Sequence, residues 1–102
     1  MKEIEGQLCI ENIPVINLAR EYGSPIFIYS ADQIKNNFER YQNEVGSHDL
    51  ICYAVKANSN LHILKLLSEL GSGFDVVSGN ELKRCLKAGA DKKKIVFSGV
   101  AK

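Results

Sequence analysis

The sequence is short of most features that would direct it to a partner. It has no surplus of charge: 13 Lys+Arg face 12 Asp+Glu, a formal net charge of +1. That balance gives no electrostatic case for nucleic acid or an anionic membrane. No apolar stretch is long enough to cross a bilayer, and the opening "MKEIEGQLCI" has no apolar core of the length a secretory leader needs. The cysteines, Cys9, Cys52 and Cys85, are odd in number and show no C-x-x-C spacing. They read as reduced, mostly buried side chains of a cytosolic protein. His48 and His62 have no second ligand at metal spacing, so both read as structural. "GSGF" at 71–74 lacks the G-x-G-x-x-G pattern of a dinucleotide loop. No repeat, low-complexity tract or Pro/Gly/Ser-rich linker interrupts the chain.

What is present is an ordinary globular composition, 45% hydrophobic and 25% charged over 102 residues, enough for one modest domain. Gln7–Ile10 reads as a short strand. "ENIPVINLAREYG" reads as a helix with Asn12 as cap, Pro14 in the first turn and Gly23 as stop. "IFIY" at 26–29 is β-branched and aromatic, a strand signal. Ser30 and Gln33 form a capping-box pair opening a helix whose apolar positions are Ile34, Phe38, Tyr41 and Val45, with Gly46 at its end.

Leu50–Val55 then predicts a buried strand. Asn58, Ser59 and Asn60 are candidate caps for a helix bearing Leu61, Ile63, Leu64, Leu67 and Leu70, stopped by Gly71. Phe74–Val77 is a further strand. Ser78 and Glu81 form a second capping box, opening a helix that buries Leu82, Cys85 and Leu86 and ends at Gly89. "DKKK" is a turn, and Ile95–Phe97 a last strand. Alternating strands and helices, with strands spaced by about twenty residues, predict a parallel sheet with right-handed crossovers. A β/α barrel and a doubly wound sheet both satisfy that pattern.

In either architecture ligands bind at the carboxyl ends of the strands. The first strand delivers Lys56 and Asn58, the second Asp75 and Ser78, the third Ser98 and Gly99. An amine at the end of a buried strand is partly desolvated, which favours its neutral form. A neutral amine can attack a carbonyl, the first requirement of Schiff-base enzymes. The alternative is a lysine that snorkels to solvent. Asp75, between Phe74 and Val76, needs a partner if buried; Lys56 on the next strand is a natural one, and a loop-closing acceptor is the other reading. Glu81 is explained by capping alone. Lys83, Arg84, Lys87 and Lys92 to Lys94 read as a solvated face and turn, since no aromatic residues interleave with them.

"YAVKAN" at 53–58, "GSGFDVVSGNEL" at 71–82 and "KIVFSGVAK" at 94–102, with "EYGSPIFIYS" ahead of them, together resemble one family. It is that of the pyridoxal-phosphate-dependent decarboxylases with an alanine-racemase-like (fold-type III) barrel, nearest the diaminopimelate decarboxylases. The resemblance covers nearly the whole chain. It implies an α/β fold, the first part of a cofactor-binding (β/α)8 barrel over residues 31–102. Residues 1–30 would be associated with a separate β domain. It implies that Lys56 holds pyridoxal 5'-phosphate covalently and that Ala54 and Asp75 line the cofactor pocket. Glu81 matches a nearby acidic position, and Asn80 stands where the family has glycine. The implied reaction is decarboxylation of meso-diaminopimelate to L-lysine in the cytoplasm, by a homodimer. An ornithine- or arginine-type decarboxylase, another fold-type III enzyme or a non-catalytic truncated product are the alternatives.

The phosphate-gripping and ring-nitrogen residues of that family would follow residue 102, so the sequence is expected to be the front piece of a longer protein. A barrel closes with eight strands, and about three are accounted for here, leaving open edges. The 102-residue chain by itself is therefore expected to be inactive and poorly folded. Size-exclusion chromatography and urea unfolding check this, and a soluble monomer with a cooperative transition would contradict it.

Overall fold

The computed structural model describes residues 1–98; Gly99, expected at the rim, lies outside the described residues. The chain divides into two compact units, Met1–Ile34 and the residues from Lys35 onward.

The first unit is built on a sheet ordered β1 (Lys2–Ile4), β2 (Gln7–Ile10), β3 (Ile13–Pro14), with antiparallel neighbours. Both hairpins turn tightly, since Ile4 pairs with Gln7 and Ile10 with Ile13. The turn residues all have positive φ, 50° and 79° at Glu5 and Gly6, 51° and 67° at Glu11 and Asn12. Paired positive φ is the turn whose twist matches that of the flanking strands. Asn12 is thus a hairpin residue and not the expected helix cap. Helix α1 (Val15–Tyr22) starts from Pro14 with no side-chain cap. Gly23 does stop it, at φ 86°, its N–H donating to the Ala19 carbonyl at 2.9 Å.

The strand expected at Ile26–Tyr29 does not form among the described residues. Its burial alternates, with Ile26 and Ile28 half-buried, Phe27 91% exposed and Tyr29 54% exposed. A period of two marks a strand only when a ladder satisfies its backbone, and this segment pairs with no strand among the described residues.

Helix α2 (Ala31–Glu44) opens as expected, Ser30 Oγ accepting from the Gln33 N–H at 3.1 Å. Of the apolar positions expected on it Phe38 is buried and Tyr41 exposed, whereas Val45 falls just past the helix end and is exposed. The parallel sheet follows, in the order β4 (Cys52–Ala54), β5 (Gly73–Val76), β6 (Ile95–Phe97). Helices α3 (Leu61–Glu69) and α4 (Gly79–Lys87) are the crossovers. Phe74 and Val76 of β5 are fully buried, as are Leu64, Cys85 and Val55. Each large apolar side chain so buried contributes roughly 1.5–3 kcal/mol. Leu82 is half-buried and Leu86 exposed, so the buried stripe of α4 is narrower than its sequence suggests.

Both crossover helices end in the same closure. The Gly71 N–H donates to the Ser68 carbonyl and the Ser72 N–H to the Leu67 carbonyl; Gly89 to Leu86 and Ala90 to Cys85 repeat the pattern. Gly71 and Gly89 stand at φ 94° and 92°, as this double closure requires of the residue past the helix.

Gly73 is needed for a different reason. A Cβ there would lie 2.6 Å from the Lys94 carbonyl oxygen and 2.8 Å from Cys52 Sγ. Gly73→Ala is therefore expected to cost about 1–3 kcal/mol by overpacking. Gly79→Ala, whose Cβ meets nothing within 4 Å, is expected to be neutral or stabilising. The denaturation midpoints of the two variants of the complete protein check this.

Candidate active site

The parallel register fixes which side chains share a face. Ala54 pairs with Asp75, and Asp75 with Val96; one step back along the strands Cys52 pairs with Gly73. Because side chains alternate along a strand, these five stand opposite Phe74 and Val76, the buried side. The face carrying Ala54 and Asp75 is only partly covered: both are half-buried, and Val96 is 48% exposed.

Lys56 follows two residues after Ala54, but not on a strand. The sheet ends at Ala54, and Val55–Ala57 forms a 3-10 turn closed by the Asn58 N–H donating to the Val55 carbonyl at 3.1 Å. Val55 takes the fully buried position and Lys56 is exposed. The strand stops at Ala54, one residue short of the expected Val55, and the turn lifts Lys56 to the rim, where it is exposed among the described residues. Nor is Lys56 the partner of Asp75. That carboxylate accepts the hydroxyl hydrogen of Ser98 at Oδ1, which fixes its orientation from the end of β6.

The other rim residues are largely committed to local structure. Ser78 Oγ accepts from the Glu81 N–H at 3.2 Å and caps α4. The Glu81 carboxylate reaches back past the cap to the Val77 N–H at 2.9 Å, so capping accounts for it. Asn58 Oδ1 accepts from the Asn60 N–H at 3.0 Å, and Asn60 Oδ1 from the His62 N–H at 2.9 Å. Asn60 is thus the cap of α3 among the candidates. The described residues contain no group of three His, Cys, Asp or Glu able to hold a metal ion.

Cys52 is the site-facing residue that the sequence reading overlooked. Its place two residues before Ala54, on the same face, is the signal that would have found it. Burial, and then the charge of Asp75, push its thiol above the ordinary 9.0. Cys85, among the core side chains, is raised by burial and then by Glu81.

These features define a segment of a parallel β/α sheet with an amine and a carboxylate at the carboxyl rim of adjacent strands. The chain belongs to the pyridoxal-dependent decarboxylase family, in its pyridoxal-binding domain, whose family model matches residues 31–102. A diaminopimelate decarboxylase of Vibrio cholerae is 50% identical over 99 residues, 96% of this chain and 24% of the relative. A crystal structure of an Aquifex aeolicus protein superposes with a TM-score of 0.93 at 46% identity, covering 99% of this chain and 25% of that one. Diaminopimelate decarboxylase from M. jannaschii, crystallised with L-lysine, gives a TM-score of 0.83 at 40% identity over 93% of this chain and 24% of that one. The chain spans about a quarter of the length of the relatives it matches. The solved structures decide for the barrel over the doubly wound sheet.

The residues present fit a pyridoxal group. An exposed primary amine can bond an aldehyde. A carboxylate oriented by a hydroxyl stands on the adjacent strand, and the small side chain of its half-buried register partner Ala54 adds little bulk to the sheet face beside it.

A raised thiol pKa means less thiolate near neutrality and slower alkylation. Iodoacetamide is therefore expected to modify Cys52 of the cofactor-free complete protein more slowly than a free thiol at pH 8. Asp75→Asn, which removes the smaller cause, is expected to speed it modestly. The raised pKa values also favour the folded state below pH 9.0, a contribution lost as pH rises through the folded values.

Proposed function

We propose that this chain carries the cofactor-anchoring part of a decarboxylase that converts meso-diaminopimelate to L-lysine. The observation that carries the reading is Lys56, exposed on the turn leaving β4 beside the Ala54–Asp75 register pair. Relatives that are diaminopimelate decarboxylases, at 50% identity, support the substrate. When bound, pyridoxal phosphate supplies the electron sink that takes up the electron pair left as carbon dioxide departs.

The chain's own residues do the rest. Lys56 Nζ would hold the cofactor by condensing with its aldehyde carbon, the aldehyde oxygen leaving as water, and its amine can hold or move a proton at this rim. Asp75, oriented by Ser98, sets a fixed carboxylate on the same face. Ala54 keeps bulk away from that face, and buried Val55 anchors the turn from beneath. The complete protein would act as a cytoplasmic homodimer on a small amino-acid substrate. These last points rest on family resemblance.

The complete protein mixed with pyridoxal phosphate is expected to show a visible absorbance band and to release carbon dioxide from meso-diaminopimelate. Lys56→Ala is expected to abolish both. Release from ornithine or arginine in its place would transfer the reading to a sibling decarboxylase. A protein with no band would be a non-catalytic relative.

A further inference from the structure

Two side chains left unused by the chemistry above converge on the backbone just past Lys56. Tyr53 stands on the face of β4 opposite Ala54, and its hydroxyl donates to the Asn58 carbonyl at 2.9 Å. Arg84 of α4 donates from Nε to the Ser59 carbonyl at 2.8 Å. The two carbonyls are consecutive, and they follow directly on the turn that carries Lys56.

The stem of Lys56 is flexible and four carbons long. The direction in which its amine leaves the rim therefore depends on how its backbone is held. The turn is closed internally by the Asn58 N–H, but that bond does not fix how the turn as a whole stands on the sheet. The two carbonyl contacts do, one from the strand before the turn and one from the helix after β5. That helix is itself tied to the exit of β5 through Glu81 and Val77. The Lys56 turn is thereby referred to the strand that carries Asp75. Bond formation is sensitive to errors of about 1 Å in such placement.

We propose that Tyr53 and Arg84 are positioning residues that clamp the Lys56 turn by holding two successive carbonyls, one from β4 and one from α4. The proposal rests on the reading of Lys56 as the residue that bonds the cofactor.

The test uses the complete protein, stripped of cofactor and mixed with pyridoxal phosphate. The visible absorbance band is followed in time, and borohydride reduction with mass spectrometry locates the labelled lysine. Tyr53→Phe keeps the ring and removes the hydroxyl; Arg84→Gln removes the Nε donor. Each is expected to slow attachment at Lys56 roughly fivefold, the scale of one lost hydrogen bond, and the slowing is expected to persist at temperatures well below the thermal midpoint of the cofactor-free variant. Wild-type rates in both variants, with Lys56 labelled in the wild type, would overturn the clamp and leave the functional reading intact. So would a slowing that tracks a lowered midpoint and vanishes on cooling. A wild-type protein labelled at another lysine, or at none, would overturn the reading of Lys56 itself.

Discussion

The contact between β5 and its two neighbours at Gly73 governs the geometry of the second unit. There the Gly73 N–H donates to the Ile51 carbonyl at 2.8 Å, and the space for a Cβ is taken by the Lys94 carbonyl and the Cys52 sulfur. The buried Ser72 hydroxyl supports the same point, donating to the Gly73 carbonyl at 2.6 Å with the Ile51 carbonyl 3.4 Å away. With the strands locked at that level, the register places Ala54 beside Asp75. A slip of one residue would turn Asp75 to the buried side and Phe74 to the open one, an outcome that the cost of burying an unpartnered carboxylate forbids.

Local chemistry was the most legible part of the sequence. Ser30, Asn60 and Ser78 each accept from a backbone N–H two or three residues on. Gly23, Gly71 and Gly89 end helices where a glycine was expected to. These bonds span a few residues and are encoded within them. The strand Ile95–Phe97 and the strand–helix alternation were legible for the same reason: the hydrophobic period changes sharply at each boundary.

The failures share a cause, which is that their outcome depends on residues distant in sequence. Asn12 has the chemistry of both a helix cap and a hairpin turn, and only the pairing of Ile10 with Ile13 decides between them. Ile26–Tyr29 has the composition of a strand without a ladder. Lys56 was placed at the end of a buried strand because Ile51–Val55 is continuously apolar. The paired part of that run stops at Ala54, where β5 still provides a register partner, and the apolar Val55 is buried by a turn. Asp75 is legible as a strand-end carboxylate, whereas the cofactor-lining role of Ala54 and Asp75 comes only from family resemblance, and the register that makes them neighbours is a property of the folded sheet.

The Glu81 carboxylate, bonded to the Val77 N–H, has a bearing on where a phosphate can settle. The amino end of a helix is ordinarily attractive to anions through its exposed N–H groups and partial positive charge. At α4 those attractions are met by the protein's own carboxylate and by Ser78. A second anion arriving there would face repulsion at close range, so the negatively charged tail of a ligand on this rim has to be gripped by some other part of the barrel.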